Sequence, residues 1–460
     1  MEKLARKYGL LTAICMVVGT VIGSGVFFKA QSVLQATEGN MPLGIVAWII
    51  TGFIMIVCAL QFASMAQKYE KVSGVVDYAE ATMGKTYGYM MAWFLVNIYY
   101  PAMTGVLAWV SARYFGVLFG WGAASAEVMA CAGFLLVAFY TLNAFSPKLA
   151  GKFQVSATFI KLVPIVLMAV IGTIVGSVNG TLPQNFATIA KIPEGGIDGG
   201  LFAAVVATVF AYDGWIVATS INAELKNPKK NLPIALILGS LIVMAAYVLY
   251  YVGVAGGATT DVLITEGAPT AFSNVFGGVG GALLNLCIVI SCLGTLNGLM
   301  VATTRGMYAI AVRQEGPDPE LFSQVDAKTN MVTNSAIWGL FICAVWALYF
   351  YGANLSSGWF GIFNFDSSEL PIVTIYSMYI PMFVVWMVKE KDEGVWKRFV
   401  LPSLAILACG FMAFAAIYSH GIVPYQKSGG ASCPVVFYLI VFVVIMAVGL
   451  LLRNQKKKRK

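Results

Sequence analysis

Twelve apolar stretches, each long enough to cross a lipid bilayer, follow one another along this chain of 460 residues. About twenty consecutive apolar residues form a helix that spans the hydrocarbon core of a membrane. The chain is 59% hydrophobic and 11% charged, whereas soluble domains carry about 25% charged residues. The stretches lie near residues 10–36, 41–66, 86–118, 124–145, 150–177, 199–224, 232–257, 270–313, 333–352, 358–388, 398–419 and 433–452. The sequence therefore predicts an all-α integral membrane protein with 12 transmembrane helices.

The basic residues predict the topology. Cytoplasmic loops of membrane proteins are enriched in Lys and Arg, and most of the 29 basic residues lie at the two chain ends and in alternate connections. Lys29, Lys191 and Lys427 fall on the opposite, outer side. We expect a multi-pass protein of the cell membrane with both termini in the cytoplasm. The first apolar stretch is too long for a cleavable signal peptide. The basic C-terminal tail is interpreted as a topology signal that can contact anionic lipid headgroups, not as a nucleic-acid site.

Scarce residue types exclude several classes of function. A single histidine, His420, cannot assemble a histidine metal site or a catalytic triad. The eight cysteines are scattered through apolar stretches without a C-x-x-C pair. The phosphate-binding pattern G-x-x-x-x-G-K-[ST] is absent from the sequence. We therefore expect no enzyme activity, no cofactor, no metal site and no transport driven by ATP.

Two apolar stretches carry a polar interruption that contains glycine. The first stretch contains GTVIGSGVF at residues 19–27, and the sixth contains FAYDGW at residues 210–215. Inverted repeats of transporters place a discontinuous helix at the same position of each half, and the substrate binds at these breaks. The spacing predicts one transmembrane transporter domain over 1–460. Its first repeat covers about 10–177, its second about 199–388, and two extra helices follow at about 398–452.

Unwound backbone at membrane depth must be buried in protein or line a cavity. At a helix break, N–H groups at the start of one half and carbonyls at the end of the other lack partners. The N–H groups around Ser24, Gly25 and Val26, with the positive end of the helix dipole, suit a carboxylate. The carbonyls expected to suit an ammonium are those near Thr20, Val21, Ile22, Phe210, Ala211 and Asp213. A carboxylate beside an ammonium describes an α-amino acid. We also expect the glycines to leave space for the ligand against the backbone.

The same residues resemble a known family. Together with AELKNPKKNLPIAL at 223–236 and SCLGTLNGL at 291–299, the two interruptions are similar to the amino acid–polyamine–organocation superfamily. Within that superfamily, the chain most resembles the L-amino acid transporter subgroup, of which it looks like a bacterial member. The resemblance covers essentially all twelve stretches. It implies the LeuT-type five-plus-five inverted repeat with discontinuous helices 1 and 6, and transport by alternating access.

Ionisable residues inside membrane spans are candidates for function. Lys161 in the fifth stretch either extends to the cytoplasmic interface or, as the resemblance implies, reaches the unwound part of the first helix and replaces Na⁺. A proton-carrying role for Lys161 stays open. The resemblance places a cooperating tyrosine at Tyr247, although a packed aromatic residue is the alternative. Phe210 is predicted to close over the ligand as a lid.

The eighth and tenth stretches hold further candidates. Asn297 either lines the pocket for the substrate side chain or makes a helix–helix hydrogen bond. Asp366 and Glu369 are expected on one helical face, with Pro371 bending the helix. They would receive a cationic side chain, carry a proton, or pair with Arg113 or Lys161, and a position nearer the outer interface is an alternative.

The leading hypothesis is a sodium-independent secondary transporter of L-amino acids, small or medium and neutral, that works as an exchanger. The alternative is a proton-coupled or cationic amino acid or polyamine transporter of the same fold. The paired breaks argue against a channel, because they build a site that can be occluded. The expected partners are the amino acid substrate and the lipid bilayer. A disulfide-linked ancillary subunit is not expected, because the outer loop FGWGAASAE at 119–127 contains no cysteine.

Overall fold

The computed structural model describes residues 9–69, 74–145, 147–215, 225–326, 331–356 and 358–453. Their regular structure is helical. In the first half of the chain the helices are α1 (Leu10–Val21), α2 (Gly25–Ala36), α3 (Met41–Lys68), α4 (Val75–Met83), α5 (Lys85–Phe94), α6 (Tyr100–Val117), α7 (Ala126–Phe145), α8 (Pro147–Ile160), α9 (Leu162–Leu167), α10 (Thr173–Val178), α11 (Thr181–Phe186) and α12 (Gly196–Tyr212). In the second half they are α13 (Pro228–Gly257), α14 (Thr260–Glu266), α15 (Ala268–Ala311), α16 (Pro319–Phe322), α17 (Thr333–Phe350), α18 (Leu370–Lys389), α19 (Leu401–Ile417), α20 (Val423–Lys427) and α21 (Pro434–Arg453).

Short π-helical turns continue several of these helices, at Leu95–Tyr99, Met168–Gly172, Tyr351–Leu355, Trp396–Val400 and Tyr418–Ile422. Two 3₁₀ turns lie at Ala187–Ala190 and Gly361–Phe363. Because π turns join the helices on either side, α5 and α6 form one apolar span, Lys85–Val117.

Ten helices among the described residues are long and apolar enough to cross a membrane. The pair α1 and α2 adds an eleventh span if it is counted as one helix bent by 52°. The shorter α12 is also apolar, with 17 residues. Each of these segments overlaps one of the twelve predicted stretches, but the helix of the tenth begins only at Leu370, twelve residues after the predicted start at 358. The eighth stretch bends at Gly277, where φ is +75° and the backbone of α15 leaves the helical conformation.

The described residues form two compact units. The first unit contains Met1–Gly88, Ile165–Gly281 and Ile372–Ser419. In it α13 packs against α1, α3 and α10. A Cβ atom built at Gly176 of α10 would lie 2.3 Å from the Cα atom of Gly256 of α13. Small residues allow helices to approach closely in membranes, so this glycine pair fixes how the second half of the fifth span packs on the seventh.

The second unit contains Tyr89–Pro164, Ala282–Pro371 and His420–Lys460. In it α6 packs against α7 and α17. A Cβ atom at Gly105 of α6 would lie 3.0 Å from the backbone nitrogen of Ala347 of α17. The hydroxyls of Thr104 and Thr303 lie 3.1 Å apart and link α6 to α15. Close backbone contact and paired hydroxyls thus hold α6 against α17 and α15.

Candidate functional site

The first membrane span is broken at the predicted position. α1 ends at Val21 and α2 begins at Gly25. Between them Ile22 is extended, with φ −65° and ψ +111°. The backbone N–H groups of Phe27 and Phe28 donate to the Ser24 carbonyl, each at 3.2 Å. As at any helix start, the first N–H groups of α2 have no acceptor within the helix and can donate to another group.

Ser24 stands at the head of α2 with a buried hydroxyl. Its side chain is 1% exposed, and its Oγ atom has no hydrogen-bond partner among the described residues. Buried hydroxyls are nearly always hydrogen-bonded in folded proteins. An unsatisfied hydroxyl beside the positive end of a helix dipole fits an anionic group that the structure does not contain.

The sixth span is broken as well. α12 ends at Tyr212, Asp213 is extended with φ −69° and ψ +158°, and Gly214 has φ +99°. L-residues with a side chain rarely adopt that φ value. Residues 216–224, the rest of the predicted sixth stretch, lie outside the described residues.

The two breaks pack directly on each other. A Cβ atom at Gly25 would lie 2.5 Å from the Cα atom of Ala211, and one at Gly214 would lie 2.8 Å from the carbonyl oxygen of Thr20. The expectation that Gly25 leaves open space for a ligand is therefore wrong on this side of the residue, because the backbone of α12 fills that space.

Tyr247 connects the ends of both broken helices. Its hydroxyl lies 3.0 Å from the carbonyl oxygen of Val21 and 2.9 Å from that of Ala211, and it donates to both. The ring is fully buried between those of Trp48 and Tyr212. Two carbonyls expected to be unpaired thus share one donor. Each keeps a second lone pair for an ammonium.

Phe210 lies at the break beside a buried cation. Its ring contacts that of Phe28 edge-on, with centroids 6.1 Å apart. The Lys29 ammonium lies 5.5 Å from the centroid of Phe210 and 5.0 Å from that of Phe28. Lys29 is 1% exposed within α2, so its side chain is buried in protein, and its place on the outer side of the membrane stays a prediction. The sequence offers one signal for this position: Lys29 follows Gly25 by four residues, and residues four apart share a helical face.

Lys161 belongs to the second unit, in the turn between α8 and α9. It is 5% exposed. A lysine that extends to the membrane interface keeps its ammonium in water. The burial of Lys161 within protein therefore does not support that alternative.

Asn297 joins three helices of the second unit. Its amide nitrogen donates to the carbonyl of Ala150 at 3.2 Å and to Gln154 Oε1 at 3.0 Å. Its Oδ1 atom accepts from Asn143 Nδ2 at 2.9 Å. These bonds support the helix–helix interpretation of Asn297.

Asp366 and Glu369 do not lie on a helical face, contrary to the expectation. α18 begins only at Leu370, so both carboxylates precede it. The Asp366 carboxylate accepts from the backbone N–H and the hydroxyl of Ser368, each at 2.6 Å. Pro371, expected to bend the helix, is its second residue, where a missing N–H costs no helical hydrogen bond.

Glu369 has a partner that the sequence did not predict. Its Oε2 atom lies 3.0 Å from Nε2 of His420, and their side chains are 9% and 18% exposed. In the sequence His420 stands out only as the single histidine, which argues against a histidine metal site. The two partners are 51 positions apart in the sequence, so no local pattern connects them.

The chain matches the family described as "Amino acid permease" over residues 8–450. It is 31% identical over 405 residues to the "Serine/threonine exchanger SteT" of Bacillus subtilis, which covers 87% of each chain. It is 26% identical over 422 residues to the "b(0,+)-type amino acid transporter 1" of Mus musculus, covering 91% of this chain and 84% of that one.

Among solved structures the fold is similar to that in "Crystal structure of MhsT in complex with L-phenylalanine", with a TM-score of 0.58 and 15% identity. The alignment covers 91% of this chain and 100% of that chain. This likeness confirms the predicted all-helical, LeuT-type membrane fold. The family comprises transporters and not enzymes. The chain belongs to the amino acid permease family, within the amino acid–polyamine–organocation superfamily of transporters.

Proposed function

We propose that this protein carries L-amino acids across the cell membrane by alternating access, with the amino acid bound at the paired helix breaks. The observation that supports this most is the buried, unpartnered Ser24 hydroxyl at the head of α2. A carboxylate placed there accepts from this hydroxyl and from N–H groups of the first helical turn. The helix dipole adds roughly half a positive charge.

The ammonium binds on the other side of the break. There the carbonyl ends of α1 and α12 converge on Tyr247, each with one lone pair remaining. Phe210 closes over the ligand. The residues proposed to contact the amino acid are Ile22, Ser24, Gly25, Val26, Phe210, Ala211 and Asp213. Asn297, whose amide is used between helices, positions α15 in this proposal and does not bind the substrate.

Transport is proposed to be sodium-independent exchange of small or medium neutral amino acids. The relative with 31% identity is itself named a serine/threonine exchanger. Lys161 supplies a buried positive charge in the fifth span, and a fixed ammonium makes a bound Na⁺ unnecessary on electrostatic grounds. Both termini are proposed to be cytoplasmic. The absence of cysteine from loop 119–127 supports function without a disulfide-linked subunit.

Uptake of labelled L-serine into proteoliposomes without sodium tests this proposal. Vesicles preloaded with unlabelled serine should take up label, while empty vesicles should not, with or without an inward proton gradient. Lys161→Ala should slow exchange, whereas Lys152→Ala, an exposed lysine of α8, should not. Uptake that requires sodium, or equal exchange by wild type and Lys161→Ala, would contradict the proposal.

Proton coupling, or transport of a cationic substrate, is a second candidate because of one observation. Glu369 and His420 form a mostly buried pair of titratable groups, and ionisable groups at membrane depth are typical of proton pathways. If protons drive transport, a proton gradient alone will load empty vesicles. Glu369→Gln and His420→Gln would then abolish that uptake while leaving exchange intact.

A further inference from the structure

Lys29 places an ammonium group inside the protein, beside the proposed substrate site. It lies in α2, four residues after Gly25, and it is 1% exposed. Its ammonium lies 5.0 Å from the ring centroid of Phe28 and 5.5 Å from that of Phe210. All four residues belong to the first unit. The contacts proposed for the amino acid do not include Lys29, so the position of its ammonium needs another explanation.

The Lys29 side chain does not take the usual position of a lysine in a membrane span. Such a lysine extends its methylene chain over apolar surface so that the ammonium reaches water. Burying a charge costs free energy unless the surrounding groups stabilise it. The groups around the Lys29 ammonium include two aromatic rings, those of Phe28 and Phe210. This placement indicates that the cation and the rings stabilise each other.

The ring of Phe210 is held by two contacts from α2. The face of an aromatic ring carries partial negative charge and attracts a cation that lies within about 6 Å of its centroid. The attraction is stronger away from water, and Phe210 is 7% exposed. The Phe28 ring meets that of Phe210 edge-on, with an interplanar angle of 82°. Both contacts depend on how the Phe210 ring is oriented.

These contacts join the two broken helices next to the breaks. Phe210 lies two residues before Tyr212, where α12 ends, and Phe28 and Lys29 lie near the start of α2. A phenylalanine side chain can occupy more than one rotamer. The attraction between the Lys29 ammonium and the Phe210 ring favours the rotamer in which the ring face meets the cation. Lys29 thus acts on the ring that is proposed to cover the amino acid.

We propose that Lys29 is a positioning residue that holds the Phe210 lid closed over the bound amino acid through the face of the Phe210 ring. This inference rests on the proposed function, in which Phe210 closes over the ligand. While the ring is held, the amino acid dissociates slowly. When the attraction is weakened, the ring turns away more often and the amino acid dissociates faster.

Dissociation of labelled L-serine from the purified full-length protein tests this proposal. Phe210 is replaced by phenylalanine analogues that carry one, two or three fluorine atoms on the ring. Fluorine nearly preserves the size of the ring but withdraws electron density from its face, which weakens the attraction for a cation. The dissociation rate should rise with each fluorine. It should reach about tenfold with three, equivalent to about 1.4 kcal/mol.

Lys29→Met removes the cation but keeps an apolar side chain at this position. The dissociation rate of serine should rise by about tenfold, equivalent to about 1.4 kcal/mol, and should no longer depend on the number of fluorine atoms at Phe210. The matched control is Lys191→Met, which removes an exposed lysine that pairs with Asp261 and should leave the rate unchanged. The fluorinated series keeps Lys29 in place, so it decides the proposal even if Lys29→Met does not fold.

Two results would overturn the proposal while leaving the proposed function intact. In the first, the wild type binds serine, but the dissociation rate is the same across the fluorinated series. In the second, the rate in Lys29→Met rises with fluorine as it does in the wild type, so that Lys29 is not the cation concerned. A wild type that binds no labelled serine would overturn the proposed function and this inference with it.

Discussion

Gly25 of the first broken helix lies so close to Ala211 of the second that a Cβ atom on Gly25 would come within 2.5 Å of the Ala211 Cα atom. The contact involves backbone on both sides, so no flexible side chain can move away. One glycine therefore both starts the half-helix at the proposed carboxylate site and sets the distance between the two breaks.

Gly25→Ala should destabilise the protein and weaken amino acid binding together, because the added methyl group pushes α2 away from α12. Overpacking of this kind costs about 1–3 kcal/mol. The measurement is the melting temperature in detergent with and without L-serine. Gly410→Ala is the matched control: Gly410 lies within α19, and a Cβ atom there has nothing within 4 Å. Normal stability and binding in Gly25→Ala would show that the breaks tolerate separation.

Tyr247→Phe should reduce serine affinity and exchange, since it removes the only hydroxyl that the described structure shows donating to both Val21 and Ala211. Leaving buried acceptors unsatisfied costs about 1–3 kcal/mol. Tyr251→Phe is the control, because the Tyr251 hydroxyl is buried and has no hydrogen-bond partner among the described residues. If the two variants behave alike in exchange assays, Tyr247 acts only through its ring.

Asn297→Ala should lower stability by about 1–3 kcal/mol while the order of preference among amino acids stays the same. The reason is that the Asn297 amide bonds Ala150, Gln154 and Asn143. Thr295→Ala should have little effect, since the one acceptor of the Thr295 hydroxyl among the described residues is the Ser291 carbonyl of the same helix. The order of preference is measured by competition with labelled serine. A changed order in Asn297→Ala would indicate that Asn297 lines the substrate pocket.

Glu390, which directly follows α18, should make the free energy of unfolding depend on pH. Its carboxylate pairs with Lys68 and accepts from the Tyr69 hydroxyl. Burial acts to raise the pKa of Glu390, but hydrogen bonds from Lys68 and Tyr69 and the positive charges of Lys68 and Lys389 outweigh it and hold that pKa below its usual value. A lowered pKa in the folded state stabilises the fold above the carboxyl's ordinary pKa, about 4.3. This stabilisation is lost as pH falls through the folded-state value.

Glu390→Gln should therefore melt at a lower temperature than wild type at pH 7, and the difference should shrink as the pH is lowered below about 4.3. Asp392→Asn, at an exposed position in the same connection, serves as the control. A wild-type-to-variant difference that does not change with pH would mean that the carboxylate charge is not what stabilises this end of the protein.

Much of the fold could be predicted because a membrane imposes simple rules. Apolar length located the spans, and glycine beside polar residues located the breaks before Gly25 and Gly214. The backbone conformation at Gly214 and the extended Ile22 confirm both interruptions. Local sequence was sufficient there, because the unwound backbone is a property of a few consecutive residues.

The remaining features depend on contacts between residues distant in sequence. The contact of Gly25 with Ala211 and the pairing of Glu369 with His420 each join segments far apart in the sequence, and no local pattern predicts them. Asp366 and Glu369 were misplaced because the apolar run continues through the turn that precedes α18. Charge counting also did not predict that the Lys29 ammonium lies against two aromatic rings, those of Phe28 and Phe210.

The central claim is that the paired breaks bind the carboxylate and the ammonium of one amino acid. Equilibrium binding to the purified protein tests it with three ligands: L-serine, ethanolamine, which lacks the carboxylate, and 3-hydroxypropionate, which lacks the ammonium. Each charged hydrogen-bonding group contributes about 1.5–3 kcal/mol, so both analogues should bind at least about tenfold more weakly than serine. Ser24→Ala should weaken serine binding but leave the weak binding of ethanolamine unchanged. If Ser24→Ala binds serine as tightly as the wild type does, or weakens ethanolamine by the same factor, the carboxylate is not bound at the head of α2.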